Sequence, residues 1–423
     1  MPATQKRRRF LFLQGPLSPL YARMADLLEH RGHQTMRINF CVGDALDWRR
    51  RGAVNYRGRV AEWPAFIDRF LERHSVTDLI LHGDRRVYHR IAGDIARRRG
   101  VQVIATELGY LRPDWMTIER DATAGGSHFP RDRGEIRRLA DASPEIDFTP
   151  AFSGHFRKVA IPDVVYNMAN TIFWFLYPHY QRHTIYFPPL DYAAWLVRLA
   201  TQRARQRRAL RDTDRLVGSE QPYYLVPLQL EGDFQIREHS PFAGIAEALE
   251  LILRSFARHA PASSRLAIKT HPLDNGLERW SSVVARMSAR YGLRSRVVFL
   301  DGGRLDTLIG KAAGMVTINS SAGIEALSAG CPVKVLAPAI YDVPGLTHQG
   351  TLDGFWVAPS APDATLRAQF VRALAATVQV RGTIYSDDGL TAAATNMVQR
   401  ILCDALNVPL PSVLSTQPTA QSE

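Results

Sequence analysis

Cysteine is scarce in this chain: Cys41, Cys331 and Cys403 stand far apart among 423 residues. That spacing excludes a disulfide framework and a thiolate metal cluster, and it fits a reducing compartment. Long apolar runs are missing too. Lys6-Arg7-Arg8-Arg9 is followed only by Phe10-Leu11-Phe12-Leu13, a strand's length and too little for the core of a signal peptide. No run of about 18 apolar residues exists to cross a bilayer. Gln14-Gly15-Pro16, after the first apolar run, is not a G-x-G-x-x-G turn, so a dinucleotide cofactor is not expected. Zinc-finger spacing and RNP-type aromatics are also absent, which disfavours nucleic acid as a partner. Positive charge is what the chain has in excess. Lys and Arg number 53 against 41 Asp and Glu, a formal net charge of +12. An anionic membrane surface or an anionic substrate therefore becomes the expected partner.

The first half alternates strand and helix patterns. Phe10 to Leu13 reads as a buried strand, Leu20, Met24, Leu27 and Leu28 recur at helical spacing up to Gly32, and Thr35 to Phe40 reads as a second strand. Thr77 to Leu81 reads as a strand ending in His82-Gly83-Asp84-Arg85. Val101 to Ala105 reads as another, ending in Thr106-Glu107-Leu108-Gly109-Tyr110-Leu111-Arg112-Pro113. In a parallel sheet both polar clusters open on the carboxyl edge, where α/β proteins bind ligands. Glu107 there is a candidate acid/base, or the partner of Arg112 or Arg85 in a salt bridge.

Residues 120–220 break the alternation. Tyr166, Phe173, Trp174, Phe175, Tyr177 and Tyr180 crowd one segment, and Arg203 to Arg211 supply a basic helix beyond it. The pair reads either as an amphipathic surface for anionic lipid or as a helical insertion packed on the sheet.

From Tyr223 the alternation returns and is cleaner. Strands are expected at Tyr223–Leu228, Arg265–Thr270, Arg296–Leu300, Met315–Asn319 and Val333–Leu336, with helices between them, which predicts a second parallel, Rossmann-like sheet. The first strand runs into Gln229-Leu230-Glu231-Gly232-Asp233-Phe234-Gln235-Ile236 and then His239. Two amides and several ionisable groups follow an apolar run directly, which reads either as a strand that delivers polar groups into a cleft or as a solvated loop. Ser320-Ser321 stands before a helix, with Gly323 allowing close approach and Glu325 one turn in; the pair is either an ordinary helix cap or, with its hydroxyls, backbone N–H groups and helix dipole, a site that suits a phosphate. His271, fixed by Pro272 at a neighbouring strand end, can donate to the same phosphate.

Glu325-Ala326-Leu327-Ser328-Ala329-Gly330-Cys331-Pro332 resembles the nucleotide-binding helix of GT-B glycosyltransferases. Thr270-His271-Pro272 with Ser320-Ser321 resembles the His-Pro and Ser-Ser motifs of enzymes that use CMP-activated acidic sugars. With Glu107 to Pro113 and Gln229-x-x-x-Asp233-x-Gln235, the chain resembles the capsular polysaccharide biosynthesis family over roughly residues 8–390. The resemblance implies two Rossmann-like domains whose parallel sheets face across a cleft, at 1–220 and 221–408; residues 409–423, rich in Pro, Ser, Thr and Gln, lie outside it and read as a disordered tail. It implies retaining, metal-independent transfer of β-Kdo from CMP-Kdo, with no cofactor. In the branch with a lipid acceptor, the sugar goes to a phosphatidylglycerol-type lipid at the cytoplasmic face of the inner membrane, alongside other capsule assembly proteins. No DxD or clustered His/Cys site lies near these motifs. Asp233 becomes the expected nucleophile in preference to Glu231, with Gly232 beside it allowing a close, strained approach, and Glu107 the acid/base, with His239 as the other candidate. Gln229 and Gln235 are expected to hold Asp233 or the sugar hydroxyls, and Arg112 or Arg85 to meet the sugar carboxylate. A GT-B enzyme using CMP-sialic acid or a UDP-sugar, and a non-catalytic assembly or export factor, are the alternatives.

Overall fold

The computed structural model describes residues 7–154, 156–182 and 184–410; residues 411–423 of the expected tail lie outside the described residues. The chain divides into two compact units. The first takes the described residues of Met1–Phe129, Arg138–His183 and Val371–Glu423, and the second takes Pro130–Arg137 and Thr184–Phe370.

The first unit is built on β1 (Arg9–Phe12), β2 (Gln34–Asn39), β3 (Val54–Asn55), β4 (Asp78–His82), β5 (Gln102–Leu108) and β6 (Trp115–Arg120). Period-two alternation explains how this sheet buries both faces. Phe12, Ile80 and Ile104 pack with Leu20, Met24 and Leu28 on one side. Leu11, Leu79 and Val103 pack with Trp63, Ile67 and Ile95 on the other. The second unit holds β7 (Tyr223–Pro227), β8 (Arg265–Lys269), β9 (Val297–Leu300), β10 (Gly314–Thr317) and β11 (Val333–Val335), all parallel in the order β11-β10-β7-β8-β9. Its core joins Val226, Ile268 and Val316 to Leu249, Leu253 and Phe256 of the helix Ile245–His259 and to Trp280 and Trp356.

Two expectations change. The chain does not divide once near residue 220. A short strand, β12 (Gln379–Arg381), pairs antiparallel with β6 in the first unit, giving the order β12-β6-β5-β4-β1-β2-β3. The helix Asp387–Leu402 then buries Leu390, Ala393, Met397 and Val398 in the first core. Residues 371–408 return because this apolar face completes the layer begun by Leu20, Met24 and Leu28. Conversely, the helix Pro188–Val217, read as part of the first domain's insertion, belongs to the second unit. The first sheet is also not wholly parallel, because β6 folds back on β5 as an antiparallel neighbour. That pairing draws Glu107, expected beyond a strand end, into β5 opposite Thr117.

Candidate functional site

In the second unit the register sets Pro227 beside Lys269, and Leu225 beside Met315, so β7, β8 and β10 end side by side. Gln229, His271 and Asn319 follow those ends. Asn319, which the sequence pattern marks only as the end of a strand, is the hub. Its Oδ1 accepts from Gln229 Nε2 at 3.2 Å, and its backbone N–H donates to Gln229 Oε1 at 3.4 Å. Its Nδ2 donates to the carbonyls of Gln235 at 2.8 Å and His239 at 3.4 Å. The 229–239 segment is thereby tied to the residue that precedes Ser320.

That segment is not a plain loop. Phe234–Arg237 forms one helical turn, and Asp233 is its N-cap, with Oδ1 accepting from Gln235 N–H at 2.9 Å. Glu231 is engaged elsewhere. Its Oε2 accepts from Ile245 N–H at 3.2 Å, capping the next helix, and burial pushes its carboxyl up. Gly232 has no left-handed backbone, so strain does not explain it; a Cβ there would sit 3.3 Å from Ile185. The main chain of Gln235, through its N–H and carbonyl, makes the contacts just described.

His271 is half-buried, and its Nδ1 accepts from Leu273 N–H at 3.1 Å. In the neutral ring this leaves the proton on Nε2, a donor suited to an anion. Pro272 is exposed beside it. The loop is anchored from several sides. Thr270 Oγ1 donates to Asp301 at 3.1 Å, and Asp301 is held by Arg198 at 2.9 Å and Arg205 at 3.3 Å. Asn275 Nδ2 donates to Asp191 at 2.8 Å. Asp191, Arg198 and Arg205 recur every seven residues along one stripe of the helix Pro188–Val217, so part of its charge buttresses the His-Pro loop. Lys269, also unforeseen, is buried at the end of β8; Nζ donates to Thr270 O at 3.2 Å, and burial pulls its amine down.

Ser320 Oγ accepts from Ala322 N–H at 3.2 Å, while Ser321 occupies the N-cap position of Ala322–Ser328 without a side-chain cap. Tyr341 donates to Ser320 O at 2.5 Å. A Cβ at Gly323 would lie 2.3 Å from the Tyr341 hydroxyl, so packing by Tyr341, rather than an open approach, demands glycine there. Glu325 is exposed.

In the first unit Glu107 is half-buried in β5, with Leu108 N–H donating to Oε1 at 3.1 Å and His82 Nε2 at 3.5 Å from the same oxygen. Burial pushes its carboxyl up, while the Leu108 N–H, Arg86 and Arg112 oppose that shift. Among the described ion pairs Arg85 joins Asp84, at 3.1 Å, and not Glu107; Arg112 is exposed. Arg86, unnoticed in the sequence, donates to Gln14 Oε1 at 2.9 Å.

The aromatic segment splits in two. Tyr166 and Tyr180 turn inward, their hydroxyls 2.6 and 3.1 Å from Gln14 Nε2, and Tyr177 donates to Asn55 at 2.7 Å. Phe173, Trp174, Phe175 and Leu176 are exposed, as are Ile161, Val165 and Ile172 of the preceding helix. No described helix is long and apolar enough to cross a membrane.

Residues 77–385 match the family described as capsule polysaccharide biosynthesis protein. The chain is 32% identical over 390 residues to the capsule polysaccharide export protein KpsS of Escherichia coli, covering 89% of this chain and 97% of that protein. It is 30% identical to the capsule polysaccharide modification protein LipB of Neisseria meningitidis serogroup A, with 90% and 93% covered. Among solved structures, the KpsC β-Kdo 2,7 transferase of Thermosulfurimonas dismutans aligns over 93% of this chain and 99% of its own length, at 14% identity and a TM-score of 0.46.

Proposed function

The chain belongs to the capsule polysaccharide biosynthesis family, and from that premise we propose that it is a retaining transferase that moves Kdo from CMP-Kdo to a phosphatidylglycerol-type lipid. The observation that carries the reading is the Asn319 tie, which joins the Asp233 segment to Ser320 on the sheet edge that also bears His271. Asp233 attacks the anomeric carbon of the sugar as that carbon's bond to the CMP phosphate oxygen breaks; CMP leaves with the bonding pair. The acceptor hydroxyl then attacks the same carbon, the Asp233 ester bond breaks, and Glu107 takes the hydroxyl proton. His239 is the second candidate for that proton. Departing CMP is already an anion, so His271 Nε2–H and the hydroxyls of Ser320 and Ser321 serve it by electrostatic stabilisation. Gln229 and Asn319 position the Asp233 segment. Arg112 supplies a cationic group for the Kdo carboxylate; Arg85, the other candidate, is engaged with Asp84.

Incubation with CMP-Kdo and a phosphatidylglycerol analogue tests this directly. The expected result is released CMP and a lipid heavier by one Kdo residue. Folded protein that gives neither product overturns the reading. Turnover with CMP-sialic acid or a UDP-sugar instead selects another nucleotide-sugar enzyme. Lipid binding that survives loss of Asp233, Glu107 and His271, with no turnover, selects a non-catalytic assembly or export factor.

The lipid acceptor accounts for the outward ridge. Phe173, Trp174 and Phe175, 44%, 62% and 58% exposed, are aromatic anchors suited to a headgroup region, and the +12 chain charge favours an anionic leaflet. We assign the protein to the cytoplasmic face of the inner membrane on that basis. Trp174→Ala with Phe175→Ala should reduce co-sedimentation with phosphatidylglycerol vesicles by about tenfold or more, since each buried aromatic contributes about 1.5–3 kcal/mol. CMP binding should be unchanged. Undiminished co-sedimentation removes the ridge from membrane contact.

A further inference from the structure

Beside Glu107 runs a buried chain of polar groups to which the proposed reaction gives no role. The Tyr21 hydroxyl is 2.8 Å from Thr106 Oγ1, Thr106 Oγ1 is 3.1 Å from His82 Nδ1, and His82 Nε2 is 3.5 Å from Glu107 Oε1. Tyr21, Thr106 and His82 are 2%, 0% and 5% exposed, whereas the Glu107 side chain, at 35%, reaches solvent. The series therefore runs from the core to the accessible carboxylate.

We propose that His82 is a positioning residue for Glu107, held by Tyr21 and Thr106 with its Nε2–H directed at the carboxylate that takes the acceptor's proton. This rests on the assignment of Glu107 as proton acceptor made above. The proton directions follow from donor and acceptor counts. Burial holds the Tyr21 phenol protonated, so it has a proton to give to Thr106, and the relay takes it in that direction. The Thr106 hydroxyl has one proton, and His82 Nδ1 is nearer than its other acceptor, the Leu81 carbonyl at 3.4 Å. A neutral imidazole that accepts at Nδ1 carries its proton on Nε2. Burial and Arg86 keep the ring neutral, so His82 donates without adding a charge. Leu108 N–H donates to that carboxylate oxygen, and His82 Nε2–H, 3.5 Å from it, adds a second favourable dipole that favours the ionised base. A base fixed by a third group recurs in catalytic constellations of unrelated folds.

The other groups that face Glu107 are Arg86 before the helix Val87–Arg98, Arg112 after β5, and the phenols of Tyr21, Tyr110 and Tyr385. Burial pushes all three phenols up, away from the carboxylate range, so the acid limb of the reaction reports Glu107.

The test compares wild type with His82→Leu, His82→Gln and Thr106→Val in lipid glycosylation from CMP-Kdo across pH. His82→Leu should lower kcat by about 10- to 100-fold and move the acid limb upward by about one pH unit, with CMP affinity unchanged. Gln restores a donor and should recover part of the rate. Thr106→Val cuts the relay without touching either end and should shift the limb in the same direction. A wild-type pH profile in both His82→Leu and Thr106→Val overturns the proposal. Nitrogen-15 NMR of the histidines, assigned through the His82 variants, is independent of turnover. The expected result is a neutral Nε2–H tautomer whose Nε2 shift changes in Glu107→Gln. An Nδ1–H tautomer, or no response to Glu107→Gln, overturns the relay even if the protein transfers Kdo. The expected NMR result with no turnover in wild type leaves the relay standing and rejects the transfer reading.

Discussion

Asp233→Asn should abolish Kdo transfer, by about 10⁴-fold or more, while leaving the protein folded and able to bind CMP. The size follows from the proposed role: an amide cannot form the glycosyl ester, and losing a covalent nucleophile leaves only the contribution of binding and electrostatics. The choice of asparagine follows from the structure. Asp233 Oδ1 accepts from Gln235 N–H as the cap of Phe234–Arg237. Asparagine caps as well as aspartate, whereas alanine forfeits about 1 kcal/mol of cap as well as the carboxylate. A pure cap predicts that Asn is active and Ala impaired; a nucleophile predicts that both are inactive and only Ala is less stable. Intact-mass analysis after exposure to CMP-Kdo adds a direct reading: one sugar residue should appear on wild type and be absent from Asp233→Asn. Wild-type turnover by the Asn variant removes Asp233 from its proposed role.

His271→Asn should weaken CMP binding by about 10- to 100-fold, the worth of one hydrogen bond to a charged group. Here too the substitution separates structure from chemistry. Nδ1 accepts from Leu273 N–H, and the amide oxygen of asparagine can occupy nearly the same position, so the turn before Asp274 survives. What disappears is the Nε2 donor. Calorimetric titration with CMP and with cytidine distinguishes the two: affinity for CMP should fall and affinity for cytidine should hold, because only CMP bears the phosphate. Equal loss for both ligands would show that the substitution disturbs the loop instead.

Both variants concern residues whose type and neighbours are legible in one dimension. The strand at Tyr223, the polar break at Gln229 and the His-Pro step after β8 are all local patterns, and the parallel order brings their ends together. Asn319 escapes such reading because its importance lies in bonds to residues 80 to 90 positions away. The reversal at β6 escapes for a related cause: nothing in Trp115–Arg120 announces the hand of its pairing with β5, and β12 is only three residues long. The aromatic segment misleads because hydropathy does not record direction. Tyr166 and Trp174 look alike in composition, yet one hydroxyl meets Gln14 while the other ring faces solvent. His82 and Thr106 are ordinary strand-end residues until β4 and β5 are paired at that very position.

The return of the last segment to the first unit bears on how the protein is made. Arg8 donates to Ile401 O at 2.9 Å across 393 positions, and Arg400 inserts its guanidinium among the carbonyls of Ala376, Thr377 and Ala405. During synthesis the strands β1 to β6 emerge first, but the β6 edge and one helical layer stay unfilled until β12 and the helix Asp387–Leu402 have left the ribosome. The second unit lies entirely within the segment before Val371, so it can close earlier, reversing the usual N-terminal-first order. The nascent first half meanwhile exposes an unpaired strand edge and an apolar face, the features that recruit holding chaperones.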